Sequence, residues 1–152
     1  IEKEGIDEEL AFNELNTMID NDTLLVAYNL AFDIDFLLRL YQKYQQRNYV
    51  IENDILDCMA VYKDRYSYPH KLESAAAQFN ITNENAHRAI DDTKTTYKVL
   101  ESLSLEGADL LKYVNVLGYN PKYSAPSTYF YKSKIKLVPQ GMKGQKEIEL
   151  SK

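Results

Sequence analysis

Leu25-Val26-Ala27-Tyr28-Asn29-Leu30-Ala31-Phe32-Asp33-Ile34-Asp35-Phe36-Leu37 decides the fold of this chain. Thr23 to Tyr28 is a short apolar run of the kind that forms a buried strand. Asn29 breaks it, and a helix is expected from about Ala31 to Tyr44. At about 100° per residue, with Phe32 at zero, Phe36, Leu37, Leu40, Tyr41 and Tyr44 share one half of the wheel. Asp33 falls at about 100°, within that apolar arc, whereas Asp35 falls at about 300°, beside Arg39 and Gln42. Phe32 and Phe36 then flank Asp33. A carboxylate on an apolar face is costly unless something binds it.

A second segment repeats the pattern. His87-Arg88-Ala89-Ile90-Asp91-Asp92 opens an amphipathic helix expected to run from about Arg88 to Leu103. With Ile90 at zero, Ile90, Thr93, Tyr97, Leu100, Val99 and Leu103 are expected to make the apolar half, Asp91 projects among the charges, and Asp92 lies near 200°, with Thr96, Val99 and Leu103. Each segment thus has one outward and one inward aspartate. The plain alternative is that both are helix caps or dipole partners. Two inward aspartates with a histidine five residues before one of them favour a site that holds a divalent cation. Oxygen ligands point to Mg2+ or Mn2+ rather than zinc, and a histidine there can take a proton from water at neutral pH. The sequence has no Walker-type loop, no zinc-spaced Cys/His cluster and no Gly-x-Ser-x-Gly elbow.

The remaining elements follow from local signals. Gly5 to Leu10 reads as a turn and cap leading into a helix through about Ile19. Val50 to Asp57 is a second strand, and Asp57 caps a helix through about Tyr62. Lys71 to Phe79 is an Ala-rich helix, and a final helix is expected over Ala108 to Val116, with Gly118 past its end. From Tyr119 the texture changes to tyrosines, lysines and prolines, with a strand over Ser133 to Val138. The strand-helix alternation indicates an α/β fold, helix-rich, with too few strands for a sheet of its own. Residues 1–118 are read as one domain and 119–152 as an extended tail.

The 152 residues carry a net charge of -5, which argues against a broad grip on duplex phosphates. No apolar run approaches the roughly 20 residues of a membrane span, and no secretory signal opens the chain. The single cysteine, Cys58, cannot form an internal disulfide, so a reducing, cytoplasmic location is expected. His70 and Cys58 are read as structural residues.

Residues 25–37 resemble the second motif of the DEDDh 3'→5' exonucleases, the family of the DNA polymerase III epsilon subunit and ribonuclease T. Ala86-His87-Arg88-Ala89-Ile90-Asp91-Asp92-Thr93 resembles the third motif, in which an Asp follows a His by five positions. Leu56-Asp57 and the stretches Lys71-Leu72-Glu73 and Phe79-Asn80-Ile81 resemble the connecting segment. The resemblance implies the C-terminal part of a ribonuclease H-like exonuclease fold and a two-metal mechanism. It makes Asp33 and Asp92 metal ligands, His87 the general base, and Asn29 and Phe32 the contacts of the 3'-terminal nucleotide. The implied substrate is a single-stranded DNA or RNA 3' end, and the implied partners are a second copy or a polymerase or repair protein. The family's first motif, Asp-x-Glu, has no equivalent in these residues. It is expected upstream of Ile1, on a second chain of a split enzyme, or lost from a remnant with another role. The chain by itself is therefore expected to bind metal weakly and to show little activity. Tyr28 stands where many relatives carry His.

Overall fold

The structure is a computed structural model that describes residues 5–107, 109–126 and 134–151. Helix α1 (Glu8–Met18) begins where Asp7 accepts the Glu9 N–H at 3.0 Å, an acidic cap at a helix N-terminus. Strand β1 (Leu25–Ala27) leads into α2 (Leu30–Tyr44). Strand β2 (Ile55–Asp57) leads into α3 (Cys58–Arg65), followed by α4 (Leu72–Gln78) and α5 (Ala89–Leu105). A 3-10 turn (Leu110–Tyr113), strand β3 (Val116–Tyr119), strand β4 (Lys136–Pro139) and a short α6 (Glu147–Leu150) complete it.

β1 and β2 run parallel with Ala27 opposite Asp57, and β3 and β4 run parallel with Val116 opposite Lys136. Asn115 joins the two pairs. Its N–H donates to the Ile55 carbonyl at 2.8 Å, and its Oδ1 accepts the Ile55 N–H at 3.1 Å. Leu30, Ile34 and Leu38 of α2 pack with Ile51, Ile55 and Leu117 on one side of the strands. A second cluster joins α3, α4, α5 and the C-terminal elements, through residues such as Val61, Ala75, Leu103, Val138 and Ile148.

Three expectations are corrected. The buried stripe of α2 is Leu30-Ile34-Leu38-Tyr41, spaced i, i+4, i+8, i+11. Phe32 and Phe36 lie about 120–160° from Leu30 and Ile34 on the wheel and are 74% and 61% exposed. The helix carries two apolar arcs, and the one anchored on Phe32 is not the one the core takes. The helix expected over 108–116 is a 3-10 turn followed by a strand, because Val116 to Tyr119 finds a ladder partner in β4. On α5, Ile90 and Tyr97 are exposed while Thr96, Val99 and Leu103, on Asp92's side, are buried. Ala108 and Ser133, at the starts of two expected elements, lie outside the described residues.

Candidate active site

The start of α2 is bent into place by Asn29, whose φ of 66° puts it in the left-handed region that asparagine tolerates. No side chain of α2's own caps the helix. Instead the Asn29 N–H donates to Asp57 Oδ1 at 3.0 Å, and the Met59 N–H donates to the same oxygen at 3.0 Å. Asp57, 3% exposed, therefore serves the N-terminal ends of α2 and α3 at once. Burial pushes its carboxyl up to about 6, against the opposing pull of these backbone donors.

The turn sends Phe32 and Asp33 to a groove of about 640 Å³ between α1, β1, α2 and the first turn of α5. Leu15, Leu25, Val26, Phe36, Leu40 and Ala89 make its wall largely apolar, and its two acidic side chains are Asp33 and Asp92. Such a concave apolar site with a few polar groups is the usual setting for a ligand. Asp33, expected to turn inward, is instead on the exposed rim, because α2 buries its other apolar arc, yet the surrounding protein raises its carboxyl above the ordinary carboxylate range by desolvation. Among the described residues no cation pairs with it.

Asp92 is half-buried. Its Oδ1 accepts the Asn83 Nδ2 at 2.9 Å and the His87 N–H at 3.3 Å, closing the loop that carries His87 onto α5. His87 has a φ of 76° and an 84% exposed side chain, with Nε2 3.9 Å from Glu73 Oε1 of α4. The structure thus brings Phe32, Asp33 and Asp92 to one groove. His87 does not line it: only its backbone N–H bonds Asp92, while its side chain turns to Glu73, and Asn29 too stands outside the groove wall, at the turn behind. Sequence reasoning found Asp57 as a cap of α3 but missed its bond to Asn29, and it missed Asn83 and Glu73 entirely. Only the partner across the β1–β2 register could have revealed the first.

Mg2+ commonly takes one or two carboxylates together with substrate phosphate oxygens. Asp33 and Asp92 are the acidic side chains that line this groove and the donors it could offer a single ion. A pair of ions needs more donors, and among the described residues no group of three or more His, Cys, Asp or Glu side chains converges. Also among the described residues, no helix is long and apolar enough to cross a membrane.

Comparison with known proteins gives the family. The DNA polymerase III PolC-type of Clostridium perfringens is 30% identical over 106 residues, which is 67% of this chain and 7% of that protein. That of Latilactobacillus sakei is 31% identical over 114 residues, 71% of this chain and 8% of that protein. That of Bacillus subtilis is 32% identical over 92 residues, 58% of this chain and 6% of that protein. The chain thus spans less than a tenth of these relatives' length. No solved structure matches it. Residues 2–100 match the family model described as Exonuclease, so the chain belongs to that family and has its α/β, helix-rich, ribonuclease H-like fold.

Proposed function

We propose that the chain carries the second and third site segments of a 3'→5' exonuclease that hydrolyses phosphodiester bonds at nucleic-acid 3' ends. The observation that carries this reading is the placement of Asp33 and Asp92 on one groove wall beside the exposed ring of Phe32. Asp33 and Asp92 would hold Mg2+ or Mn2+, two ions in a complete site. When bound, the ions supply positive charge at the phosphate and at the leaving 3'-oxygen. Phe32 presents a ring face to the terminal base, and Asn29 flanks it. His87 takes the proton of the attacking water, and Glu73, 3.9 Å from its Nε2, is placed to steady the imidazolium that results. The domain reading assigns residues 1–118 to the exonuclease unit, with β4 and α6 of the following stretch packed into its core through Val138 and Ile148. A single-stranded DNA or RNA end is the substrate class, with a polymerase or repair protein, or a second copy, as partner.

The test is an assay of the full-length protein on a single strand labelled at either end, with and without Mg2+ or Mn2+. Metal-dependent loss of the 3' label as mononucleotide is expected. Initial release of the 5' label would contradict the polarity.

A second reading, a non-catalytic binding module or one half of a split nuclease, is favoured by the lack of a third converging ligand among the described residues. It predicts no nucleotide release by the full-length protein, or release only after a second chain is added.

A further inference from the structure

Asp57 is buried and forms no direct ion pair among the described residues, and its place in the fold is more specific than a helix cap requires. It sits opposite Ala27 in the β1–β2 register, at the ends where both strands hand over to helices. One oxygen, Oδ1, receives Asn29 N–H and Met59 N–H, both at 3.0 Å. The Asn29 bond crosses 28 residues of sequence and ties down the single left-handed residue between β1 and α2. Three residues of the proposed site, Asn29, Phe32 and Asp33, hang from that turn within five positions. Asn29's own side chain makes no cap bond, so the side-chain acceptor at the start of α2 is Asp57.

We propose that Asp57 is a positioning residue for the site: by holding the Asn29 turn it sets the direction in which Asp33 meets a divalent cation. The inference rests on the assignment of Asp33 and Asp92 as cation ligands. Asp92 lies on α5, whose bonds to Asn83 and His87 do not pass through Asp57. The two carboxylates should therefore respond differently when Asp57 is changed, whereas general loss of stability would affect both.

The experiment is a Mn2+ titration of the 152-residue chain with its aspartate carboxyl carbons 13C-labelled, following paramagnetic broadening. Asp33→Asn and Asp92→Asn assign the two signals. In the unaltered chain both are expected to broaden before the other aspartates. Asp57→Val removes the acceptor. Outer partners of metal ligands typically change affinity 10- to 100-fold, so half-broadening of Asp33 should move to about tenfold more Mn2+. Asp92 should hold its place. Asp57→Asn keeps Oδ1 and should leave both signals near their original behaviour. If Asp57→Val does not fold, Asp57→Glu, which displaces the acceptor by a methylene, is measured in its place with the same expectation. Unchanged Asp33 broadening in a folded Asp57→Val overturns the positioning role alone. Failure of Mn2+ to select either carboxylate in the unaltered chain overturns the ion-site assignment, and the positioning role with it.

Discussion

Asp33 on the groove face and Asp64 beside the C-terminal elements of this molecule have opposite surroundings. On the C-terminal face Asp64 is fully buried and fully used. It accepts Tyr113 Oη at 2.9 Å, the Ile148 N–H at 2.8 Å and the Glu149 N–H at 3.2 Å. Gln140, 1% exposed, donates to the Ala60 carbonyl at 2.8 Å, while its Oε1 is buried with no partner among the described residues. On the groove face Asp33 has no cation partner among the described residues, and Phe32 and Phe36 face outward. Charge satisfied by the chain's own donors builds structure. Charge left open beside apolar surface is what a binding site looks like.

The contrast makes the C-terminal elements the more fragile target. Removing residues 134–152 takes away β4 and α6, and with them Val138 and Ile148, which are 3% and 0% exposed. The remainder is expected to lose cooperative thermal unfolding, read by near-ultraviolet circular dichroism; a sharp transition in the shortened chain would break the comparison. Ile34→Ala, on the buried stripe of α2, should cost about 2–5 kcal/mol in chemical denaturation.

Asp57 gives the next effect, and its sign is set by burial. Its carboxyl is raised from 3.8 to about 6 in the folded chain, so the folded state binds the proton more tightly than the unfolded state does. Its contribution to stability is then greatest below pH 4 and is lost as pH rises to about 6. Asp57→Asn should abolish that fall and gain about 2–3 kcal/mol over the unaltered chain at pH 7 relative to pH 4. Asp33 shifts in the same direction and cancels in this difference, because both proteins retain it. Parallel stability curves for the two proteins between pH 4 and 6 would contradict the burial argument. Phe36→Ala is the smallest: exposed on the groove, it should change stability by no more than about 0.5 kcal/mol.

Much of the groove side was legible in the sequence because its signals are local. The strand ending at Tyr28, the asparagine break and the helix through Tyr44 are all carried by neighbouring residues. So is the Asp57 cap, which accepts the N–H two positions on. The face of α2 was not legible, since Leu30-Ile34-Leu38 and Phe32-Phe36-Leu40 are equally apolar stripes and only the tertiary partners choose between them. β3 was hidden for a related reason. Its partner β4 lies about 20 residues on, and Gly118, which reads as a helix stop, is where a Cβ would strike the Gln140 side chain at 1.7 Å. α6 is four residues long and exists because Asp64, more than 80 positions earlier, receives its N–H groups. On the site, the sequence named Phe32, Asp33 and Asp92, which share the groove. It did not show that the His87 side chain turns toward Glu73.

The most direct test of the account is the rate of metal-dependent nucleotide release by the full-length protein carrying Asp92→Asn, compared with Asp91→Asn one position away. The account predicts release at background for Asp92→Asn and a near-unaltered rate for Asp91→Asn. Equal rates for both variants and the unaltered protein would contradict it.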